Sequence, residues 1–526
     1  MASPTASTIR CNDSTEIPVE WVYPDAEDYE WVRDRGHWPQ PLTPMEVWLR
    51  QHAWPGADRA WDEAGMEPPA IFHRFQLVGP FQYVRMTPYA LDRMANMIPG
   101  YLAVAGRHGN VLRFWQQYCQ PRIQRACDEL AGTDASASLR PSAELWAYGF
   151  HQTFTSAALL GGANMRLTAL LTEHAGDDAT LMAYEVTQGG ENASQDIDRE
   201  IWELTAIARR TPIVKRTLEV QGESAALAAL RKPPDAAAFV TAFDALVERH
   251  GSRSQGWDIA LPTWREQPEA PLSLIRAQLA SGGVSPDELE ARSAARRREA
   301  TERALAAVPP EKHAEFHAAV TELEGYVHVR EGRAYWQMVL TGALRALLLR
   351  RGERLVQSGR IDRADDVLVL VPDDFEGDSK TDLRSLVVER RREWERWRQV
   401  VPPEVIGTSA EAPAAPEAAP DELRGAPASR GNVTGPARVL HGPEDVARLR
   451  PGDVLVCVMT TPAWTPLFSV AAGIITETGG ALSHPAITAR EYGIPAVVAV
   501  PRATTKIRDG QIVTIDGGAG IVSLHP

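Results

Sequence analysis

The sequence predicts a multidomain protein, with a mainly α-helical N-terminal region, a flexible tether and a compact C-terminal α/β domain. Three observations carry this. Residues 1–406 contain long stretches with apolar residues at helical spacing. Residues 407–430 are rich in Pro and Ala and have no apolar period. From 431 to 526 the pattern changes to short β-rich runs divided by Gly, Pro and Asp. The 526 residues suffice for about three domains of ~150 residues each.

The N-terminal 60 residues are rich in Trp and Pro, which predicts an irregular segment packed by large side chains. Helices are predicted within "GNVLRFWQQYCQPRIQRACDEL" and "AELWAYGFHQTFTSAALLGGANMRLTALL". In "SPDELEARSAARRREATERALAAV", Ser285 is the expected N-cap and Pro286 opens the first turn. "EGRAYWQMVLTGALRALLLRRGERLVQSG" carries helical spacing that stops at Gly359. No fixed-period repeat runs through the chain. "GTSAEAPAAPEAAPDELRGAPASRG" lacks the apolar surface needed to offset ordering entropy, so a semi-stiff tether is expected. Beyond it, "GPARVL", "DVLVCVM", "GIITE", "AVVAV", "IVTIDG" and "GIVSL" read as strands, with "PAITAREYG" a short helix between two of them.

A net charge of −14 argues against nucleic acid or an anionic membrane as partner, since both are polyanions. The N-terminus lacks the basic-then-apolar run of a signal peptide, and no stretch reaches ~18 uninterrupted apolar residues. The four cysteines are scattered without metal-ligand spacing, so reduced thiols, a cytoplasmic setting and no metal site are expected.

His484 lies in "TETGGALSHPAITAREYGIPAVVAV", where a strand gives way to a helix. A helix start gathers unsatisfied N–H groups and the positive end of the dipole. Gly479 and Gly480 permit close approach, while Thr476, Thr478 and Ser483 supply hydroxyls. Such a cradle suits a phosphoryl group on an imidazole nitrogen, which is a competent nucleophile near neutral pH. The same placement also fits a capping or buried histidine in a glycine-rich turn.

"TTPAWTPLFSVAAGIITETGGALSHPAITAREYGIPAVVAV" closely resembles the mobile phosphohistidine domain of phosphoenolpyruvate-utilising enzymes. The resemblance runs from about Gly431, through "PGDVLVC", to "DGQIVTIDGGAGIV". It implies a swivelling α/β domain in which His484 is the phosphorylated residue, with Thr478, Gly479, Gly480 and Ser483 shaping its loop. The tether then suits a domain that travels between sites.

Those relatives charge the histidine with an ATP-grasp domain, whose glycine-rich loop is not evident in the first 400 positions, nor is a Walker A sequence. A separate ATP-grasp subunit, binding ATP and Mg2+, is therefore expected as partner. Further forward, "DRGHWPQPLTPMEVWL", "ERHGSRSQGWDIALPTWREQP" and "VREGRAYW…DDVLVLVPDDF" resemble the acceptor-side region of rifampin phosphotransferase-like proteins. The resemblance implies Arg253, Arg330 and Arg333 as oxyanion-steadying residues, and His37 or Glu331 as the base that takes the acceptor proton. His151, His250 and His328 are reserves for that role. Trp115, Trp146, Tyr148, Phe150 and His151 suit a small aromatic hydroxyl substrate, although each taken singly fits helix-packing core better. The layout is similar to the subunit of phenylphosphate synthase-like and cresol-phosphorylating systems that joins acceptor binding to the swivelling histidine. The alternatives are the same shuttle acting on another hydroxyl, such as an antibiotic's, or a phosphohistidine signalling protein without catalysis.

Overall fold

The computed structural model describes residues 7–11, 15–19, 21, 30–66, 75–85, 103–104, 106–158, 160–176, 179–188, 193–254, 256–281, 284–377, 381–407, 421–441, 445, 448–460, 462–480 and 483–526. The chain divides into two compact units. Unit 1 comprises residues 1–159, 256–261 and 336–415, and unit 2 comprises 160–255, 262–335 and 416–526. Among the described residues no helix is long and apolar enough to cross a membrane.

Unit 1 contains more sheet than the helical pattern predicts. Strands β1 (Ser7–Arg10) and β2 (Glu16–Val19) pair antiparallel. A second sheet has the order β4 (Phe75–Val78), β5 (Phe81–Arg85), β3 (Trp31–Arg33), β6 (Val405–Ile406). These strands have five residues or fewer, too few for a period of two to stand out. β6 pairs Ile406 with Trp31 across more than two thirds of the 526-residue chain, a match that no local pattern can announce. Trp31, Phe81 and Tyr83 close the core beneath. Helices α1 (Pro44–His52), α2 (Trp54–Ala64), α3 (Gln120–Gly132) and α4 (Leu139–Ala158) complete the unit's first segment. Thr43 caps α1 by accepting the Glu46 N–H at 3.3 Å, and Pro44 opens the helix.

Unit 2 begins with a helical layer: α5 (Leu160–Ala175), α6 (Ala179–Glu185), α7 (Ala193–Arg210), α8 (Ala237–His250), α9 (Leu272–Ser281) and α10 (Pro286–Ala307). Ser285 caps α10 as the sequence predicts, its Oγ accepting from Glu288 N at 3.2 Å. The next helix, α11 (His313–Gln357), gives its residues up to Tyr335 to unit 2. It ends two residues before Gly359, whose φ of +72° is left-handed and suits glycine.

Among the described residues, the α/β part of unit 2 has eight strands: β7 (Glu422–Arg424), β8 (Ala426–Ser429), β9 (Asn432–Val439), β10 (Val454–Cys457), β11 (Gly473–Thr476), β12 (Ala496–Val498), β13 (Ile512–Asp516) and β14 (Ile521–Leu524). Their order is β7-β14-β13-β9-β10-β11-β12-β8. The four central strands, β9 to β12, run parallel and the flanking pairings are antiparallel. β10 and β11 are buried throughout, as strands covered on both faces must be. Helix α12 (His484–Tyr492) crosses between β11 and β12. β7 and β8 correct the predicted tether, because they fall inside its last third. Pro427 is compatible with β8 because that strand lies at the sheet's edge. Residues 408–420 of the predicted tether lie outside the described residues.

Candidate functional site

β11 ends at Thr476, a loop follows, and α12 starts at His484 with Ser483 as N-cap. This is the carboxyl end of a parallel strand, where open α/β sheets place their ligands. His484 is therefore the first helical residue, and the helix starts one residue before the predicted "PAITAREYG". Gly479 has a φ of +118°, and a Cβ there would come within 2.7 Å of Ser483 Oγ, so both conformation and space require glycine. Thr476 Oγ1 donates to Thr478 O at 2.8 Å, and Thr478 Oγ1 donates to Val458 O at 3.0 Å. These two hydroxyls brace the loop. Gly480 is exposed with open space about its Cα, while Ser483 is half-buried beside the ring-bearing residue.

The imidazole is 7% exposed. Its Nε2 lies 3.3 Å from Thr465 Oγ1, and the Phe468 ring stands nearly perpendicular to it with centroids 6.1 Å apart. Thr465 and Phe468 both come from the 3-10 turn Pro462–Ser469, and neither was identified as a site residue from sequence. Their signal was present in "TTPAWTPLF", inside the stretch that carries the family resemblance. A Thr465→Val variant keeps the shape and removes the hydroxyl. Its His484 should phosphorylate about tenfold more slowly, the equivalent of one hydrogen bond of ~1.4 kcal/mol, in a rapid-quench labelling assay.

Arg253, Arg330, Glu331 and Arg333 belong to the same unit as His484. Arg253 is 1% exposed, with its guanidinium 5.4 Å from the Tyr335 ring. Its backbone is pinned, its N–H donating to His250 O and its carbonyl accepting from Trp264 N. Arg330, Glu331 and Arg333 lie on α11, and the Glu331 side chain lies outside the described set. Arg490, which the sequence reading passed over, is buried on α12. It donates to Ala428 O at 2.7 Å and lies 5.2 Å from the Tyr184 ring. Burial pushes its pKa down to about 10, against the raising effect of Tyr184, Glu491 and Glu185, while the Arg330 charge lowers it further.

The aromatic candidates and His37 lie in unit 1. There an open cleft is lined by Trp38, Arg50, Trp54, Phe75, Trp146, Phe150 and His151, among others. Trp146, Phe150 and His151 come from α4, while Trp38 comes from the loop before α1, Arg50 from α1, Trp54 from α2 and Phe75 from β4, which only tertiary folding brings together. Arg50 lies 4.0 Å over the Trp38 ring. His151 Nδ1 accepts from Trp61 Nε1 at 3.1 Å. An indole N–H can only donate, so neutral His151 carries its proton on Nε2 and acts there as a donor. Trp115 and Tyr148 do not join this cleft. Trp115 is core in the turn Trp115–Cys119, and Tyr148 donates to Glu63 Oε2 at 2.6 Å. His37 sits 5.1 Å from the Trp257 ring, its Nδ1 2.7 Å from Asp34 Oδ1. Burial alone would raise the Asp34 pKa, but the His37 charge and hydrogen bonds from His37 and Gln82 bring it below the ordinary value.

Two buried carboxylates close to this cleft were also missed. Glu46 accepts from Arg50 at 2.8 Å and from Ile259 N at 3.1 Å, and Asp258 accepts from Ala260 N at 2.7 Å. Burial, with the Glu46 charge adding to it, raises the Asp258 pKa. A carboxyl raised by folding stabilises the fold while protonated and loses that contribution as pH rises through its folded value. Wild-type melting temperature should therefore fall between about pH 4 and about pH 7, and Asp258→Asn, which mimics the protonated form, should flatten that fall.

Residues 449–520 match the mobile domain of PEP-utilising enzymes. This chain carries a PEP-utilising mobile domain. Residues 152–331 match the fourth domain of rifampicin phosphotransferase, which covers most of the helical layer of unit 2. A rifampicin phosphotransferase from a Streptomyces species is 33% identical over 69% of this chain and 42% of that protein. The uncharacterized phosphotransferase YvkC of Bacillus subtilis is 28% identical over 76% of this chain and 51% of its own length. Chondramide synthase of Chondromyces crocatus is 29% identical over 97% of this chain and 14% of its own length. The chain thus spans about half, or less, of the curated relatives it matches. His484 lies within the matched mobile domain, and Arg253 and Arg330 within the matched helical one.

Proposed function

We propose that this chain is a phosphotransferase component whose His484 receives a phosphoryl group derived from ATP and passes it to the hydroxyl of a small aromatic acceptor. The observation that carries the reading is the placement of His484. It opens a helix at the carboxyl end of β11, with Nε2 beside the Thr465 hydroxyl, inside a matched PEP-utilising mobile domain. ATP, with Mg2+, is cleaved to AMP and phosphate on a separate ATP-grasp subunit, where the imidazole is charged. With the ring 7% exposed, its covering face must open for charging, which fits a domain that moves. At the acceptor, phosphoryl transfer needs positioning and charge neutralisation more than covalent help. Arg253, Arg330 and Arg333 supply positive charge in the helical layer. The unit 1 cleft takes the aromatic ring between Trp38, Trp146 and Phe150, with His151 donating from Nε2 to an acceptor oxygen. His37, oriented by Asp34, takes the hydroxyl proton. A phenol, with a pKa near ~10, yields that proton more readily than an alcohol.

A second reading keeps the shuttle and changes the acceptor to an antibiotic hydroxyl. It is favoured by the match of residues 152–331 to the rifampicin phosphotransferase fourth domain. One experiment separates the readings. The chain is mixed with an ATP-grasp partner, ATP and Mg2+, together with phenol, p-cresol or rifampicin, and products are followed by phosphorus NMR. An aryl phosphate is the expected product. Phosphorylated rifampicin alone moves the assignment to the antibiotic reading, and a labelled protein that hands its phosphoryl group to neither makes it a signalling protein.

A further inference from the structure

The carboxyl end of α12 makes a set of contacts that phosphoryl chemistry does not use. Arg296 of α10 donates from Nη2 to Arg490 O at 2.9 Å and to Glu491 O at 2.8 Å. These are last-turn carbonyls, of which Arg490 O also accepts the capping Gly493 N–H at 3.2 Å, and a cation there complements the helix dipole. Gly493 follows with a φ of +68°, and a Cβ at that position would come within 2.6 Å of Arg296 Nη1. Tyr492 OH donates to Asp198 Oδ2 of α7 at 2.8 Å. Glu185 of α6 receives Arg303 of α10 at 2.6 Å and Arg430, which directly follows β8, at 2.6 Å. All of these groups lie in unit 2.

We propose that the Arg490–Gly493 end of the phosphohistidine helix is a docking key, and that Arg296 and Asp198 of the helical layer are its receptor. His484 and Tyr492 stand at opposite ends of one nine-residue helix, about 12 Å apart at 1.5 Å per residue. Gripping the carboxyl end therefore sets where the imidazole points, without any contact to the phosphoryl group. Arg296, Asp198 and Tyr492 are positioning residues in this scheme. The inference rests on the reading that the mobile domain travels.

The latch is also proton-linked. Asp198 is 5% exposed, and its Oδ1 meets no hydrogen-bond partner among the described residues. Burial pushes its pKa up to about 7, against the opposing effects of the Tyr492 hydrogen bond and the Arg253 charge. Arg199, Glu290 and Glu491 are the other charged groups lining the cleft beside it. On release, water returns the carboxyl toward ~4. Docking is then favoured by protonated Asp198, and this contribution is whole below about pH 4 and lost as pH rises through about 7.

The test is an interdomain distance in the full chain. The four native cysteines are buried, so spin labels are placed at Glu302→Cys and Lys506→Cys, both at exposed positions. Wild type should give one short, narrow distribution at about pH 6. Tyr492→Phe with Arg296→Ala should lower the docked-to-released ratio about a hundredfold, about tenfold for each lost contact, and so bring up a longer-distance population. Raising the pH to about 8 should weaken docking in wild type and leave it unchanged in Asp198→Asn. An unaltered distribution in the double variant overturns the latch. Phosphoryl uptake by His484, measured on the same samples, separates this from the function. Lost uptake in His484→Ala with an unresponsive latch retains the shuttle and removes the key, whereas a responsive latch with uptake independent of His484 does the reverse.

Discussion

A His484→Ala variant takes up no phosphoryl label and supports no transfer, with turnover down by on the order of 10^4-fold or more, the scale on which loss of a covalent nucleophile acts. The reason is chemical. Alanine has no lone pair to accept the phosphoryl group, and no other histidine falls within the matched mobile-domain residues, 449–520. The loop should survive the change. Thr476 and Thr478 hold it through backbone carbonyls, and Ser483 remains to start the helix. Intact-mass spectrometry at neutral pH after exposure to the charging partner reads the outcome directly, since a phosphoramidate is lost in acid. Wild type gains one phosphoryl mass and the variant gains none. Undiminished product formation by the variant would remove the shuttle from the mechanism.

The second large effect is expected far from the histidine. A Cβ added at Gly56 would stand 1.7 Å from Glu144 O, which is backbone and cannot rotate away. Gly56 lies on α2 and Glu144 on α4, so this is a point of close approach between the two helices. Gly56→Ala must push them apart, at about 3 kcal/mol, the upper part of the range for overpacked cores. The same helices carry Trp54 and Ala57 on one side of the unit 1 cleft and Trp146, Ala147 and Phe150 on the other. Stability and acceptor affinity should therefore fall together, while phosphorylation of His484 stays near wild type. Denaturant melts, ligand titration and labelling on one preparation distinguish these outcomes. An unshifted melt would mean that α2 and α4 are not held at this separation.

Much of the candidate site could be read before any coordinates. The glycine pair, the histidine and the following proline form one contiguous stretch, and local signals place the helix start within one residue of where it is found, while Gly479 adopts a positive φ. The Ser285 cap and the stop before Gly359 were legible for the same reason, since both depend on residues within one helical turn. Thr465 was missed although its motif was in view, because sequence does not say which hydroxyl of "TTPAWTPLF" turns toward the ring.

The chain's order of residues by itself determined the helical and α/β classes and the place of His484 and its loop between a strand and a helix, because these follow from spacing over fewer than about fifteen positions. Only the folded molecule decided the rest. It drew β6 onto β3 and placed strands in the last third of the predicted tether. It gathered Trp38, Arg50, Phe75 and Trp146 round one cleft, left Tyr148 outside, and put Asp198 beneath Tyr492. Each of these depends on surfaces that meet across tens to hundreds of residues, where burial and hydrogen-bond satisfaction are settled by tertiary packing, not by the identity of any neighbour in sequence.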